Sequence, residues 1–387
     1  NELYLDVAKI PEVVSCPAAQ ALLNSSELRR EIDAACERPL IDYRKVMALK
    51  RKVIEAAIDH FFASRRRAEF ENFVAARPGL QGYAAFRAKC ERERKSWLHW
   101  PEAERNGVLA PGSYDGRAQS YHLYVQWLCH EQAQWLRKAN KKDGTGPYLD
   151  FPVGVNRDGY DVWRERELFA INASGGAPPD ALFVKGQNWG FPPCHPGATR
   201  RHGYRYYREC LRHHMAYAAM LRIDHVMGLH RSYWVPEGFS AADGLYVHNH
   251  AAEYYAVLNL ESHRHQVQII GENLGTVPPY VNEALVRHQI LGMHVGQFSV
   301  SADPSNAVVE PPSDTVTSLN THDTATFMSF WTGAEIDDRL ALGLLTPEQA
   351  DQEHGYRSAQ RDALFAYLRS VGRLGDDAGA AAVLRGW

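Results

Sequence analysis

Apolar residues recur at two different spacings along this chain. From 43 to 62, Tyr43, Val46, Met47, Leu49, Val53, Ile54, Ala57, Ile58, Phe61 and Phe62 keep a stripe with helical period, which predicts one long amphipathic helix. Further helical stretches are expected over 82–98 and 120–140, so 24–145 reads as a helical insertion or subdomain. Arg65, Arg66 and Arg67 sit just past the first helix and read as a solvated face. Ahead of it, Leu3, Leu5 and Val7 alternate with polar residues and Pro11 and Pro17 punctuate. That pattern predicts extended chain and a turn over 1–23, a segment leading into the domain that follows.

From Pro147 the texture changes to alternating strands and helices. Strands are expected over 148–155 and 220–224, from 267, from 291 and over 314–323; helices are expected over 204–218, 251–265 and 279–288. Parallel β/α units need a crossover helix between strands, and this is their signature. The fold expected for 146–387 is therefore a (β/α)8 barrel of the TIM type. About six barrel-like strands are legible where closure needs eight, so either further strands go unmarked in the pattern or the chain lacks the barrel's ends. No glycine-rich phosphate loop follows any strand, which disfavours a doubly wound nucleotide-binding sheet.

Several of these strands end in charge. Arg222 and Asp224 are two residues apart on the strand 220–224, so they project from one face, and His225 follows. A guanidinium beside a carboxylate favours its ionised form. Glu272 follows Ile269, Ile270 and Gly271, an apolar setting that favours the protonated form. Asp323 closes the stretch NTHD next to His322. Barrel active sites lie at the carboxyl ends of strands. One ionised carboxylate and one protonated partner are what glycosidic bond cleavage requires. The competing explanation is structural: Asp224 and Arg222 as a plain ion pair, Glu272 as the cap of the next helix. His248 with His250, and His263 with His265, look like metal clusters, but partners two apart diverge on a helix and no HExxH spacing accompanies them. No GxSxG elbow supports a serine hydrolase.

Composition acts mainly by exclusion. A net charge of -3 over 387 residues offers no footing for nucleic acid or a membrane surface. Six cysteines at 16, 36, 90, 129, 194 and 210 lack zinc or disulfide spacing, and no signal peptide or long apolar run is present, so a cytoplasmic protein with reduced thiols is expected. The 19 Tyr and 9 Trp suit sugar faces as well as any large core.

RIDHVMG, IIGENLG followed by TVP, and NTHD resemble, in this order, signature regions of the amylomaltases, the 4-α-glucanotransferases of the α-amylase superfamily. YLDFPVGVNRDGYDVW, the Pro178-Pro179-Asp180 segment, GQNWG and NELYLDVAKIPE resemble further family motifs. The resemblance implies Asp224 as nucleophile, Glu272 as general acid/base and Asp323 as transition-state stabiliser. It implies Arg222, His225, His322, Asp150, Gln187 and Trp189 as substrate-side residues, and glucan donors and acceptors as partners. It implies a retaining mechanism without metal or organic cofactor, with the Asp224 and Glu272 carboxyls about 5–5.5 Å apart. The chain departs from the family pattern at Asn273, where Asp is common, at Gly159, where Ser is usual, and at Ala181 and Leu182, where aromatic residues are expected before Phe183. The family's first and last barrel strands would lie beyond Asn1 and Trp387. Alternatives are an α-glucan hydrolase, a non-catalytic glucan-binding form, and a different barrel enzyme such as an aldolase, which would need a Lys or metal at the strand ends.

Overall fold

A computed structural model describes residues 2–141, 145–180, 183–375 and 379–387. Its contacts divide into two compact units. The first takes in Asn1–Pro147, Val155–Phe169 and Tyr217–Ala219; the second takes in Tyr148–Gly154, Ala170–Ala216 and Met220–Trp387.

The first unit is helical. The helix Tyr43–Phe62 starts where Asp42 accepts a hydrogen bond from the Lys45 N–H, an N-cap that satisfies one orphan donor of the first turn. Val53, Ile54, Ala57, Ile58 and Phe61 are its buried stripe. They share a core with Tyr121, Tyr124 and Leu128 of the helix Gly116–Lys141. The Phe61 ring stacks on Tyr124 at 4.3 Å between centroids.

Two expectations for this unit are overturned. Residues 1–23 are not extended: Glu2–Tyr4 and Val7–Lys9 are 3-10 turns, and Pro11–Ser15 and Pro17–Leu23 are short helices. Both prolines occupy a first helical turn, where a missing N–H costs nothing and the fixed φ suits the helix. Lys50 Nζ donates to the Leu3 and Leu5 carbonyls at 2.7 and 2.8 Å, a long-range tie that local alternation does not reveal. The basic run is not uniformly solvated either. Arg66 pairs with the buried Glu12 at 2.6 Å and lies 4.4 Å over the Trp127 ring, while Arg65 and Arg67 are exposed.

The second unit is mixed α/β. Strands β1 (Tyr148–Phe151), β4 (Met220–Ile223) and β7 (Gln268–Gly271) form a parallel sheet in the order β1-β4-β7. A parallel bridge from Ile270 to Leu291 leads on to the parallel pair β8 (Gly292–Val295) and β9 (Thr315–Ser318). Among the described residues these are five parallel strands, one fewer than the approximate count from the pattern. The helices Arg205–Met215, Ala251–His265 and Pro279–Arg287 precede β4, β7 and β8, as expected. Leu221 and Ile223 are buried on one face of β4, leaving Arg222 to the other.

Two features of this unit lie outside the sequence expectations. Strands β2 (Ala173–Ala177), β3 (Gln187–Asn188), β5 (Arg231–Pro236) and β6 (Leu245–His248) form an antiparallel sheet in the order β3-β2-β5-β6. Beyond β9 the chain is helical, with Pro347–Ser370 opened by a reciprocal cap between Thr346 and Gln349. Among the described residues, no helix is long and apolar enough to cross a membrane.

The Phe61 ring is fully buried among aromatic neighbours, so Phe61→Ala leaves a cavity that rigid rings cannot collapse into. The expected cost is about 3–5 kcal/mol, read as a lower urea midpoint for loss of helical signal.

Candidate active site

Parallel register sets Asp150 of β1 directly beside Arg222 of β4. Arg222 is 5% exposed, and its guanidinium carries a fork of donors. Its Nη1 lies 2.8 and 2.9 Å from the two Asp150 oxygens and 2.9 Å from Asp224 Oδ1. Its Nη2 lies 3.6 Å from Asp323 Oδ2. One cation thus gathers carboxylates from the ends of β1 and β4 and from the loop after β9. The i and i+2 placement of Arg222 and Asp224 on one face holds as the strand period requires.

Backbone donors hold the two most confined carboxylates. The Val153 N–H, in the loop after β1, donates to Asp224 Oδ2 at 3.3 Å. Glu272 directly follows β7, and its two oxygens accept from the N–H groups of His225 at 2.9 Å and Leu274 at 2.7 Å. His225 can present its N–H there because it adopts a left-handed backbone, φ 48°. That conformation strains a non-glycine residue and is tolerated where surroundings enforce it. The structural alternative for Glu272 fails: the next helix begins at Pro279 with Pro278 as its cap residue.

Burial raises the Glu272 carboxyl above its ordinary range, and the nearby Asp224 charge adds to the rise. The Leu274 and His225 N–H groups and the Arg222 charge pull the other way without cancelling it. Burial also lowers the His225 imidazole, which favours the neutral ring. A carboxyl that holds its proton more tightly than usual, beside a carboxylate paired with a guanidinium, can deliver that proton to an oxygen while its neighbour meets developing positive charge at carbon.

The other candidates extend these two clusters. His322 and Asp323 are largely exposed; His322 Nε2 is 3.2 Å from Asp323 Oδ2 and 3.9 Å from Asp150 Oδ2. Trp189 donates through Nε1 to Gln187 Oε1 at 3.1 Å, and its ring meets the His225 ring edge-on at 5.3 Å. Asn273, the departure next to the acid, accepts from the Met293 N–H and donates to Asn282 Oδ1, each at 2.9 Å, which ties the end of β7 to β8. Gly159 would place a Cβ 2.9 Å from the Asn156 carbonyl oxygen, so this turn as built has no room for Ser. Ala181 and Leu182 lie outside the described residues. Sequence reasoning missed Val153 and Leu274, which act through backbone N–H groups and carry no side-chain signature.

A family model described as 4-alpha-glucanotransferase matches residues 1–382. A 4-alpha-glucanotransferase of Haemophilus influenzae is 33% identical over 393 residues, covering 95% of this chain and 56% of the relative. One from Mycobacterium tuberculosis is 30% identical, covering 98% and 54%. The chain therefore spans about half the length of the curated relatives it matches. Among solved structures, amylomaltase from Corynebacterium glutamicum superposes with a TM-score of 0.77 at 27% identity, covering 97% of this chain and 52% of that one. Amylomaltase from Streptococcus agalactiae in complex with acarbose shares the fold, with a TM-score of 0.73 at 21% identity over 95% of this chain and 73% of that one.

A carboxyl that binds its proton more tightly when folded than when unfolded costs no stability below its unfolded titration, near pH 4.3, and costs more as pH rises toward the folded one. Glu272→Gln removes that cost. The melting temperature of the variant relative to the parent is expected to climb from about pH 4 upward and then level off. A difference that stays flat with pH would show that Glu272 titrates normally.

Proposed function

The chain belongs to the 4-alpha-glucanotransferase family, and from that premise we propose that it carries the reacting groups of a retaining α-glucan transferase. The single observation that carries the reading is the contrast between Asp224, paired with Arg222, and Glu272, buried and inclined to keep its proton. The five parallel strands are read as an arc of a (β/α)8 barrel, with 146–387 as its catalytic portion and 24–145 as a helical insertion subdomain.

In this reading an Asp224 oxygen attacks the anomeric carbon of a glucan donor. The bond from that carbon to the leaving O4 breaks, and the Glu272 proton passes to the departing oxygen. A covalent glycosyl ester on Asp224 results. The 4-hydroxyl of an acceptor glucan then attacks the same carbon, Glu272 takes its proton, and Asp224 leaves as a carboxylate. Two inversions restore the α configuration.

Asp323 supports the positive charge that develops on the ring. Arg222 pairs with Asp224 and aims it, while Asp150 and His322 accept from or donate to sugar hydroxyls. Trp189 presents an indole to a glucose face, steadied by Gln187. The steps use side chains alone and call for no metal or organic cofactor.

Maltotriose separates this reading from its rivals. Products longer than the substrate, together with glucose or maltose, are the expected outcome; shorter products alone would mean hydrolysis, and binding without turnover a non-catalytic role. Glu272→Gln is expected to lower turnover about 10²–10⁴-fold on maltotriose. The loss should shrink on a donor whose leaving group needs no proton, such as a nitrophenyl maltoside. Equal losses on both donors in the first, single-turnover release of the leaving group would remove Glu272 from the acid role.

A further inference from the structure

The loop that donates to Asp224 and the backbone N–H that donates to Glu272 are both reached through one ring. The Phe191 ring packs closely on two glycines from different segments. A Cβ built on Gly154, in the loop after β1, would sit 2.2 Å from the Phe191 ring, and one on Gly175, in β2, would sit 2.4 Å from it. Neither glycine has a left-handed φ, so the ring and not the backbone excludes a side chain there. Gly154 adjoins Val153, whose N–H holds Asp224. Phe191 also stacks with Trp189, at 5.8 Å between centroids and 23° between planes. Trp189 in turn abuts His225, whose N–H holds Glu272. The backbone locks this stack in place: the Gly175 N–H donates to the Phe191 carbonyl at 2.8 Å, and the Trp189 N–H donates to the Gly175 carbonyl at 2.9 Å.

We propose that Phe191 is a positioning residue for the transfer reaction: packed against Gly154 and Gly175 and stacked on Trp189, it fixes the Val153 loop and the His225 turn, and through them the relative placement of Asp224 and Glu272. The inference rests on the roles proposed above for those two carboxylates. Phe191 acts through its neighbours. Its loss lets the 153–154 loop and the indole relax independently, and misplacement of reacting groups by even about 1 Å costs roughly 10²-fold in rate.

The test combines kinetics with hydrogen exchange on the whole chain. Phe191→Ala is expected to lower kcat on maltotriose by about 10- to 100-fold, with KM changed less than kcat. Phe191→Leu, which refills much of the space, should recover most of the rate. Gly154→Ala alone should slow turnover, because its methyl group displaces the ring. Added to Phe191→Ala it should cost little more, since the ring it would strike is gone. In exchange, Phe191→Ala should deprotect the amides of Val153 and His225 and leave the helix Tyr43–Phe62 unchanged. Independent, multiplying losses in the double variant, or unaltered protection at Val153 and His225, would overturn the positioning role. If the parent chain itself fails to lengthen maltotriose, the reading as a transferase falls, and the exchange comparison still decides whether Phe191 holds the two backbone donors.

Discussion

A buried guanidinium needs compensation, and at the ends of β1 and β4 that requirement organises everything around it. Arg222 is almost wholly removed from water, and its Nη groups face Asp150, Asp224 and Asp323. Removing one partner of such a buried pairing typically costs about 3–5 kcal/mol, because the remaining charge is stranded. The planar fork matters as well as the charge. A lysine ammonium is a point charge on a flexible stem and could not span carboxylates arriving from three directions. Charge balance then reaches beyond the pairs themselves. One cation faces three acids with Glu272 close behind, so negative charge is in excess. Burial, with the Asp224 charge adding to it, raises Glu272, which binds its proton more tightly than an exposed glutamate does.

Backbone geometry does the finer placement. Each of the two central carboxylates takes an N–H from a neighbouring strand's connection: Val153 after β1 for Asp224, His225 after β4 for Glu272. Neighbouring parallel strands thus brace one another's acids, β1 for β4 and β4 for β7. The left-handed turn at His225 is the conformational cost of aiming that N–H. Further N–H donors fasten the segment itself, from Glu272 to the Ile223 carbonyl and from Val226 to the Glu272 carbonyl, both at 3.0 Å. The site is therefore stiff where the acids sit, and it opens to solvent at Asp323 and His322.

What could be read from the sequence follows from which interactions are local. The helix Tyr43–Phe62 was legible because its stripe is a local property, and so was the shared face of Arg222 and Asp224. The acidic strand ends were legible as a pattern for Asp224 and Glu272, which directly follow β4 and β7, whereas Asp323 lies in the loop beyond β9, which ends at Ser318. Where distant contacts decide, the pattern misled. Leu3, Leu5 and Val7 alternate as a strand would, yet prolines suited to helix starts and the reach of Lys50 fold that segment into turns and helices. Strand β2 reads Ala-Ser-Gly-Gly-Ala, with no β-branched residue to mark it. Its glycines are required by neighbours far along the chain, the Phe191 ring at Gly175 and the Gln187 carbonyl at Gly176, and neither is visible before folding.

The same electrostatics gives the proposed two-step cycle its internal timing. Asp224 is among the groups that raise Glu272, while Arg222 pulls it down. Before the first step both acts are needed at once: Asp224 must be charged to attack, and that charge helps keep the proton on Glu272. Once Asp224 is esterified its charge is gone, yet the guanidinium remains. Glu272, having just lost its proton, is then free of the Asp224 repulsion while Arg222 still favours its carboxylate, the state a general base needs when the acceptor hydroxyl arrives. Release of Asp224 restores the repulsion and returns the proton's preference to Glu272. In the proposed cycle the Asp224 charge therefore adds to what burial does at Glu272 in the acid step and drops out in the base step.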